Sequence, residues 1–129
     1  MDLHETIERI ASACGWEYRQ EGDCYLVTVP TGGGRGQNVA IVEATDPADL
    51  RIARFWSVIG DADRVDHRKC LEENARLPYG AFVIQGKKLC LMETEILTEA
   101  DPAHVGTLIG NIASFADRFE KEYFGVDRY

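Results

Sequence analysis

The stretch LRIARFWSVI, residues 50–59, carries apolar side chains on both faces of the strand that it predicts. Successive side chains of a strand point to opposite faces, so Ile52, Trp56 and Val58 share one face and Phe55 lies on the other. A sheet covered on one side only alternates apolar with polar residues. Both faces must therefore be covered, either by helices on both sides or by a second chain on part of one side. Because only three helices are predicted, we favour the second chain.

Apolar periodicity and turn residues divide the chain into three helices and at least five strands. The predicted order is a helix over 3–14, a three-strand meander (23–29, 37–44 and 50–59), a helix over 64–76, a hairpin (79–85 and 88–97) and a helix over 102–124. Residues 16–19 fit either a short strand or an extended lead-in. Asp2 and Asp101 are expected to cap the first and last helices, and Asp63 the middle one. The prediction is an α+β protein, a two-layer sandwich with an antiparallel sheet in the order α-β-β-β-α-β-β-α.

A length of 129 residues suits one domain, 1–129, that buries a core without disulfides or metals. The net charge of −8 repels a phosphate backbone, so nucleic-acid binding is not expected. The chain has no membrane-length apolar run and no leader-like start, so we predict a cytoplasmic protein that binds no membrane.

The sequence contains no motif typical of an enzyme or of a resident cofactor. Cys14, Cys24, Cys70 and Cys90 lack the paired spacing of a zinc site and are read as small apolar residues. His4, His67 and His104 are expected at the surface, with no metal role. Asp61, Asp63 and Glu72 match three positions of a calcium loop, but the sixth position is Asp66 where glycine is needed. We therefore predict a protein that is not an enzyme and that uses no metal or cofactor.

The glycine-rich segment TGGGRG, residues 31–36, leaves one alternative open. A phosphate-binding loop is followed directly by a helix, whereas this segment is followed by a predicted strand. A hairpin loop is the simpler interpretation. A regulatory domain that binds a small molecule or anion at this loop, with Arg35, is the alternative function.

Three residues are assigned structural roles around the second helix and the hairpin. Asn74 lies on the helix face expected to meet the core, with Cys70, Leu71 and Ala75, and its amide should bond backbone groups of the Pro78–Gly80 turn. Gly80 belongs to the break before the hairpin. Gly86 belongs to the tight turn between its strands.

The chain resembles the type III secretion chaperone-like superfamily, and within it the bacterial branch of sensory-transduction regulators and Tir-chaperone-like proteins. The resemblance rests on Leu71-x-x-Asn74, Gly80-x-Phe82, Gly86-x-x-Leu89-x-Leu91 and the apolar stripe from Val105 to Phe119. It implies the α-β-β-β-α-β-β-α sandwich, a homodimer and no shared catalytic residues. In the secretion branch it also implies chaperones that hold extended segments of a client protein.

The residues and the resemblance together give the functional expectation. We predict a non-enzymatic chaperone-like or adaptor protein that binds extended polypeptide segments, as a homodimer. Phe55, Trp56 and Val58 are the candidate partner- or dimer-binding residues, because they belong to the strand that is apolar on both faces.

Overall fold

A computed structural model describes residues 2–98 and 100–125 of the chain. The elements, in chain order, are α1 (Leu3–Cys14), β1 (Glu17–Glu21), β2 (Cys24–Gly32), β3 (Arg35–Thr45), β4 (Arg51–Asp61), a 3-10 turn (Ala62–Arg64), α2 (His67–Asn74), β5 (Ala81–Gln85), β6 (Lys88–Ile96) and α3 (Pro102–Phe124).

The strands form one six-stranded sheet in the order β1-β2-β3-β4-β6-β5, and every neighbouring pair is antiparallel. The α+β class with an antiparallel sheet is confirmed. The predicted order lacked one strand, because residues 17–21 also pair, from Glu17 opposite Thr28 to Glu21 opposite Cys24. This strand has no apolar alternation and forms through pairing with β2.

The caps of α1 and α3 are those predicted from the sequence. The Asp2 carboxylate accepts a hydrogen bond from the Glu5 N–H, and the Asp101 carboxylate accepts one from Ala103 N–H. Gly15 and Gly125 end the two helices with positive φ, a conformation that glycine adopts without steric cost.

The prediction for the middle helix was wrong at its start. Residues 62–64 form a 3-10 turn, and Asp66, not Asp63, caps α2 by accepting bonds from the N–H groups of Arg68 and Lys69. Of the expected core stripe only Cys70 is buried, while Leu71 is 68% exposed. The eight-residue α2 thus contributes one core side chain and leaves an apolar residue in water.

The core lies between one face of the sheet and the helices. The stripe of α3 is buried along its length, and Leu3 and Ile7 of α1 join it. The sheet contributes side chains of a single face: Val27, Val29, Val39, Ile41, Ala53, Phe55, Ile59, Phe82, Leu89 and Leu91. Each large apolar side chain so buried contributes about 1.5–3 kcal/mol. The helices therefore cover one side of the sheet, and the other side does not take part in the core.

Candidate protein-binding face

The uncovered side of the sheet is here called the open face. Its middle row runs across all six strands, as the cross-strand partners show: Arg19, Leu26, Ala40, Trp56, Met92 and Ala81. The row on one side contains Glu21, Cys24, Val42, Arg54 and Thr94. On the other side Val58, Cys90 and Val83 are partners. The open face is thus defined by the register of the strands, and its centre is apolar.

The larger side chains at the centre of the open face are only partly shielded from water, whereas Ala40, Ile52 and Cys90 are buried on the same face. Leu26, Val42, Trp56 and Met92 are half-buried, shielded by their neighbours within the sheet, and none of them packs against the helix-side core. Monomeric proteins expose single apolar side chains freely but seldom a contiguous patch of several hundred Å². Four partly exposed apolar side chains that adjoin one another on an uncovered sheet face make this face the candidate interaction surface.

The three candidate contact residues are divided between the two faces. Trp56 and Val58 lie on the open face, as the sequence suggested. Phe55 does not: its side chain is 0% exposed and packs in the core under α3. Strand periodicity separates Phe55 from Trp56 but does not say which face the helices cover. Phe55 is therefore a core residue and not a partner- or dimer-contact residue.

The open face also contains residues that the sequence interpretation did not single out, chiefly Leu26, Val42 and Met92 on β2, β3 and β6. The signal was available in part, since the segment LCLM of β6 is apolar at consecutive positions. The missing information was the strand order, which places β6 beside β4 rather than at an edge.

Charges are sparse on this face. Arg54 is exposed in the row next to Trp56, and among the described residues it forms no ion pair. Other charges form pairs at the ends of the face: Arg19 Nε lies 2.9 Å from Glu21 Oε1 on β1, and Lys88 Nζ lies 2.7 Å from Asp61 Oδ1 at the ends of β6 and β4. A single arginine near the centre and acidic groups at one rim give the face little net charge, although the whole chain carries −8.

The free edge of β5 is partly occupied by Asn74. Its Oδ1 accepts a hydrogen bond of 2.6 Å from Phe82 N–H, and its Nδ2 donates one of 3.3 Å to Phe82 C=O. The predicted latch therefore exists, but it holds β5 itself rather than the turn at 78–80. Because these backbone groups bond Asn74, they are not available to an added strand. At the opposite edge, the charged residues of β1 discourage strand addition in a different way.

The two structural glycines have separate reasons for being glycine. Gly80 has φ of +74°, and a Cβ there would lie 3.1 Å from Met92 O and 3.3 Å from Ile112 Cδ1. Gly86 has φ of +59° in the β5–β6 turn, and a Cβ there would meet nothing within 4 Å. Gly80 is therefore needed for space and conformation, and Gly86 for conformation alone.

The glycine-rich segment forms the β2–β3 hairpin turn, with positive φ at Gly32, Gly33 and Gly34. Arg35 Nη2 lies 3.5 Å from Asp117 Oδ2 on α3, and Lys121 Nζ lies 3.2 Å from the same oxygen. The Asp117 carboxylate therefore already pairs with Arg35 and Lys121, the two cations that a bound anion would need. This arrangement disfavours the anion-site alternative and explains the loop as a hairpin tip held against α3.

Each of the three histidines has a local partner. His104 Nε2 lies 2.9 Å from Glu95 Oε1, His4 Nε2 3.2 Å from Glu8 Oε2, and His67 Nε2 2.6 Å from Ala62 O. No group of three or more His, Cys, Asp or Glu residues within 2–98 and 100–125 is arranged to hold a metal ion. Desolvation by burial raises the pKa of Cys90 to about 11, so its thiol is protonated at neutral pH and is a poor nucleophile.

A polar groove of about 640 Å³ lies at the end of the sheet near the start of α1. Arg51 spans it and donates to both carboxylate oxygens of Glu43, at 3.2 and 3.0 Å. Burial, followed by the nearby charge of Asp2, raises the pKa of Tyr25 at its wall. Acidic and basic groups both line the groove. The Arg51 guanidinium is already paired with both oxygens of the Glu43 carboxylate.

The fold and the open face together define an α+β protein with a six-stranded antiparallel sheet, three α-helices and one unshielded sheet surface. Neither a family model nor a curated protein sequence matches the chain. Among the described residues no helix is both long and apolar enough to cross a membrane.

Proposed function

We propose that this protein is a non-enzymatic chaperone-like or adaptor protein that binds extended polypeptide segments, as a homodimer, and that its binding surface is the open face. The observation that carries the proposal is the apolar middle row around Trp56, which no helix of the described chain covers. Removing apolar area from water contributes roughly 25 cal/mol per Å². A partner that covers this face therefore gains binding free energy without needing a specific sequence.

The geometry favours binding on the face over addition of a strand to an edge. The Asn74 amide occupies the outer backbone groups of Phe82 on β5, and β1 presents Glu17, Arg19 and Glu21. Strand addition needs free backbone donors and acceptors, which Phe82 at the β5 edge does not offer. An extended segment lying across the face needs only apolar side chains.

The resemblance to the type III secretion chaperone-like superfamily supports the same proposal. It implies a homodimer and, in one branch, chaperones of extended client segments. The α+β class and the open sheet face are compatible with it. The proposal also includes the cytoplasm as the site of action.

The alternative function, binding of a small molecule or anion at the glycine-rich loop, has weaker support because Asp117 neutralises Arg35. A thermal-shift screen with nucleotides, inorganic phosphate and divalent cations tests it. A ligand present far above its dissociation constant stabilises the folded protein by a few kcal/mol. Stabilisation that Arg35→Ala abolishes would revive this alternative.

Intrinsic fluorescence offers a direct test of client binding. The chain has two tryptophans, and Trp16 packs against the core. In a Trp16→Phe background, Trp56 becomes the sole tryptophan and reports on the open face. We expect an unfolded model client, such as reduced carboxymethylated lactalbumin, to shift its emission to shorter wavelength as the indole leaves water.

The same client provides the functional measurement. The wild-type protein should suppress light scattering by the aggregating client, and Trp56→Glu should lose that suppression. Leu71→Glu is the matched control, since Leu71 is exposed on α2 and lies outside the open face. Equal suppression by all three proteins would refute the open face as the binding surface.

A further inference from the structure

Arg54 places a positive charge beside the apolar centre of the open face. Its cross-strand partners are Val42 and Thr94, and Trp56 follows two residues further along the same face of β4. Two residues of a strand span about 7 Å, so the guanidinium and the indole belong to one contact area. Arg54 is exposed and forms no ion pair among the described residues. A segment bound at Trp56 therefore meets a cation next to an apolar side chain.

The acid that shares a row with Arg54 lies too far away to neutralise it. This acid is Glu21 on β1, three strands from β4, or about 14 Å at about 4.8 Å between strands. Screening at physiological ionic strength acts over about 8 Å. Glu21 Oε1 also lies 2.9 Å from Arg19 Nε, so its charge is already compensated. The chain carries −8 as a whole, but the local charge beside Trp56 is positive.

A segment that covers Trp56 also removes water from Arg54, because the two side chains are neighbours on one strand. A charge that loses its water without gaining a partner is strongly unfavourable. A wholly apolar segment therefore loses part of what it gains at the indole. A carboxylate offers two oxygens to the guanidinium and restores the lost hydrogen bonds. A basic side chain at the same position adds repulsion, so Arg54 discriminates against it.

From these observations we infer that Arg54 selects client segments in which an aspartate or glutamate lies two residues from an apolar side chain. Strands in packed β layers are nearly aligned, and an extended segment repeats on one face with the same spacing as β4. An apolar residue over Trp56 thus places the residue two positions away over Arg54. The inference rests on the proposed function and adds one requirement to it. The apolar contacts accept many sequences, whereas Arg54 restricts a single position.

A matched set of capped peptides tests this requirement. In each peptide valine alternates with threonine, and the central valine is replaced by glutamate, glutamine or lysine. Binding is followed by the emission of Trp56 in the Trp16→Phe background. The glutamate peptide should bind about tenfold or more tightly than the glutamine peptide, the effect of a charge-assisted hydrogen bond, and the lysine peptide should bind most weakly. This ratio should shrink as salt rises from about 0.01 M to about 1 M, because the screening length falls from about 30 Å to about 3 Å.

Charge reversal identifies the residue responsible. Arg54→Glu should spare the fold because Arg54 is exposed, and it should make the lysine peptide the tightest. Arg54→Gln should bind the glutamate and lysine peptides equally. Arg68→Glu is the matched control: it changes the net charge as Arg54→Glu does, but Arg68 is exposed on α2 outside the open face. It should keep the wild-type order.

The outcomes separate this inference from the proposed function. Equal binding of all the peptides through Trp56, or a wild-type order retained by Arg54→Glu, overturns the inference and leaves the proposed function standing. So does a protein that binds no peptide but still suppresses client aggregation through Trp56. Trp56 emission that shifts to longer wavelength when the protein is diluted without peptide means that a second copy covers the face, and it overturns the inference. Neither peptide binding nor suppression of aggregation refutes the proposed function itself.

Discussion

Asn74 on α2 bonds both the N–H and the C=O of Phe82, so one side-chain amide takes the place of a neighbouring strand at the edge of the sheet. An edge strand with free backbone groups is a template for aggregation. The short α2 buries only Cys70, so Asn74 is also its main polar link to β5. The same contact therefore holds a weakly packed helix and closes an edge.

Replacing Asn74 should reveal both roles. We expect Asn74→Ala to lower the free energy of unfolding by about 1–3 kcal/mol, because two partly buried backbone groups of Phe82 lose their partner. Denaturant unfolding measures the loss. Arg76→Ala, at an exposed site just beyond α2, is the control and should change stability by less than about 0.5 kcal/mol.

The edge-closing role has its own measurement. Asn74→Ala should aggregate faster than the control at equal fraction folded, since Phe82 then presents free backbone groups. Aggregation that simply follows the loss of stability would contradict a protective role at the edge.

Phe55 and Trp56 are adjacent in sequence but belong to different surfaces, and substitution should separate them. Phe55→Ala creates a cavity beneath α3 and should cost about 3–5 kcal/mol of unfolding free energy. Trp56→Ala should cost clearly less, measured at a concentration where the protein is monomeric, because its side chain is partly exposed in one chain and lies outside the core. Equal losses would mean that the open face is covered within one chain.

Gly80 and Gly86 form a natural pair for separating conformational strain from steric clash. Both have positive φ. A Cβ added at Gly80 would lie 3.1 Å from the Met92 carbonyl oxygen, whereas one added at Gly86 would have no neighbour within 4 Å. Gly86→Ala should cost about 1–2 kcal/mol, the price of a left-handed conformation for an L-residue. Gly80→Ala should cost more, because the Cβ must also displace β6 or Ile112. Thermal unfolding compares the two, and a smaller loss at Gly80 would show that the neighbouring backbone yields freely.

Local signals in the sequence predicted local structure well. The caps Asp2 and Asp101 and the stops Gly15 and Gly125 are set by residues within one helical turn, and the structure contains all four. Strand β1 was left open because its residues carry no alternating pattern, and it depends on pairing with β2. Leu71 was misplaced because helical spacing identifies neighbours on a helix but not the element that covers them.

The candidate site was predicted only in outline, for a related reason. The apolar residues on both faces of β4 indicated that one sheet surface is unshielded. Which of the two faces is covered depends on where α3 packs, and the strand pattern does not give that. Gln37 shows the same limit: it is the first residue of the predicted strand over 37–44, and nothing in that pattern indicates that it is fully buried and donates to Ser57 Oγ and Val58 O. Tertiary packing, not the strand pattern, decides which polar residue is internal.

Alkaline pH should destabilise the protein through Cys90. Its pKa in the folded chain is about 11, raised by burial from a normal value of 9.0. A raised folded-state pKa means that the folded protein binds the proton more tightly than the unfolded chain. The contribution is therefore fully present below pH 9 and is lost as the pH rises from about 9 to about 11. Unfolding free energy measured across that window should fall more steeply for the wild-type protein than for Cys90→Ala.

The tyrosines need a control in that experiment, because burial also raises the pKa of Tyr18, Tyr25 and Tyr123. Their contribution is common to both proteins, so the difference between wild type and Cys90→Ala isolates the thiol. Labelling with a thiol-specific reagent at neutral pH gives a second readout: exposed Cys14 should react at once and Cys90 only after denaturation. Parallel stability curves together with fast labelling of Cys90 would contradict its burial within the single chain.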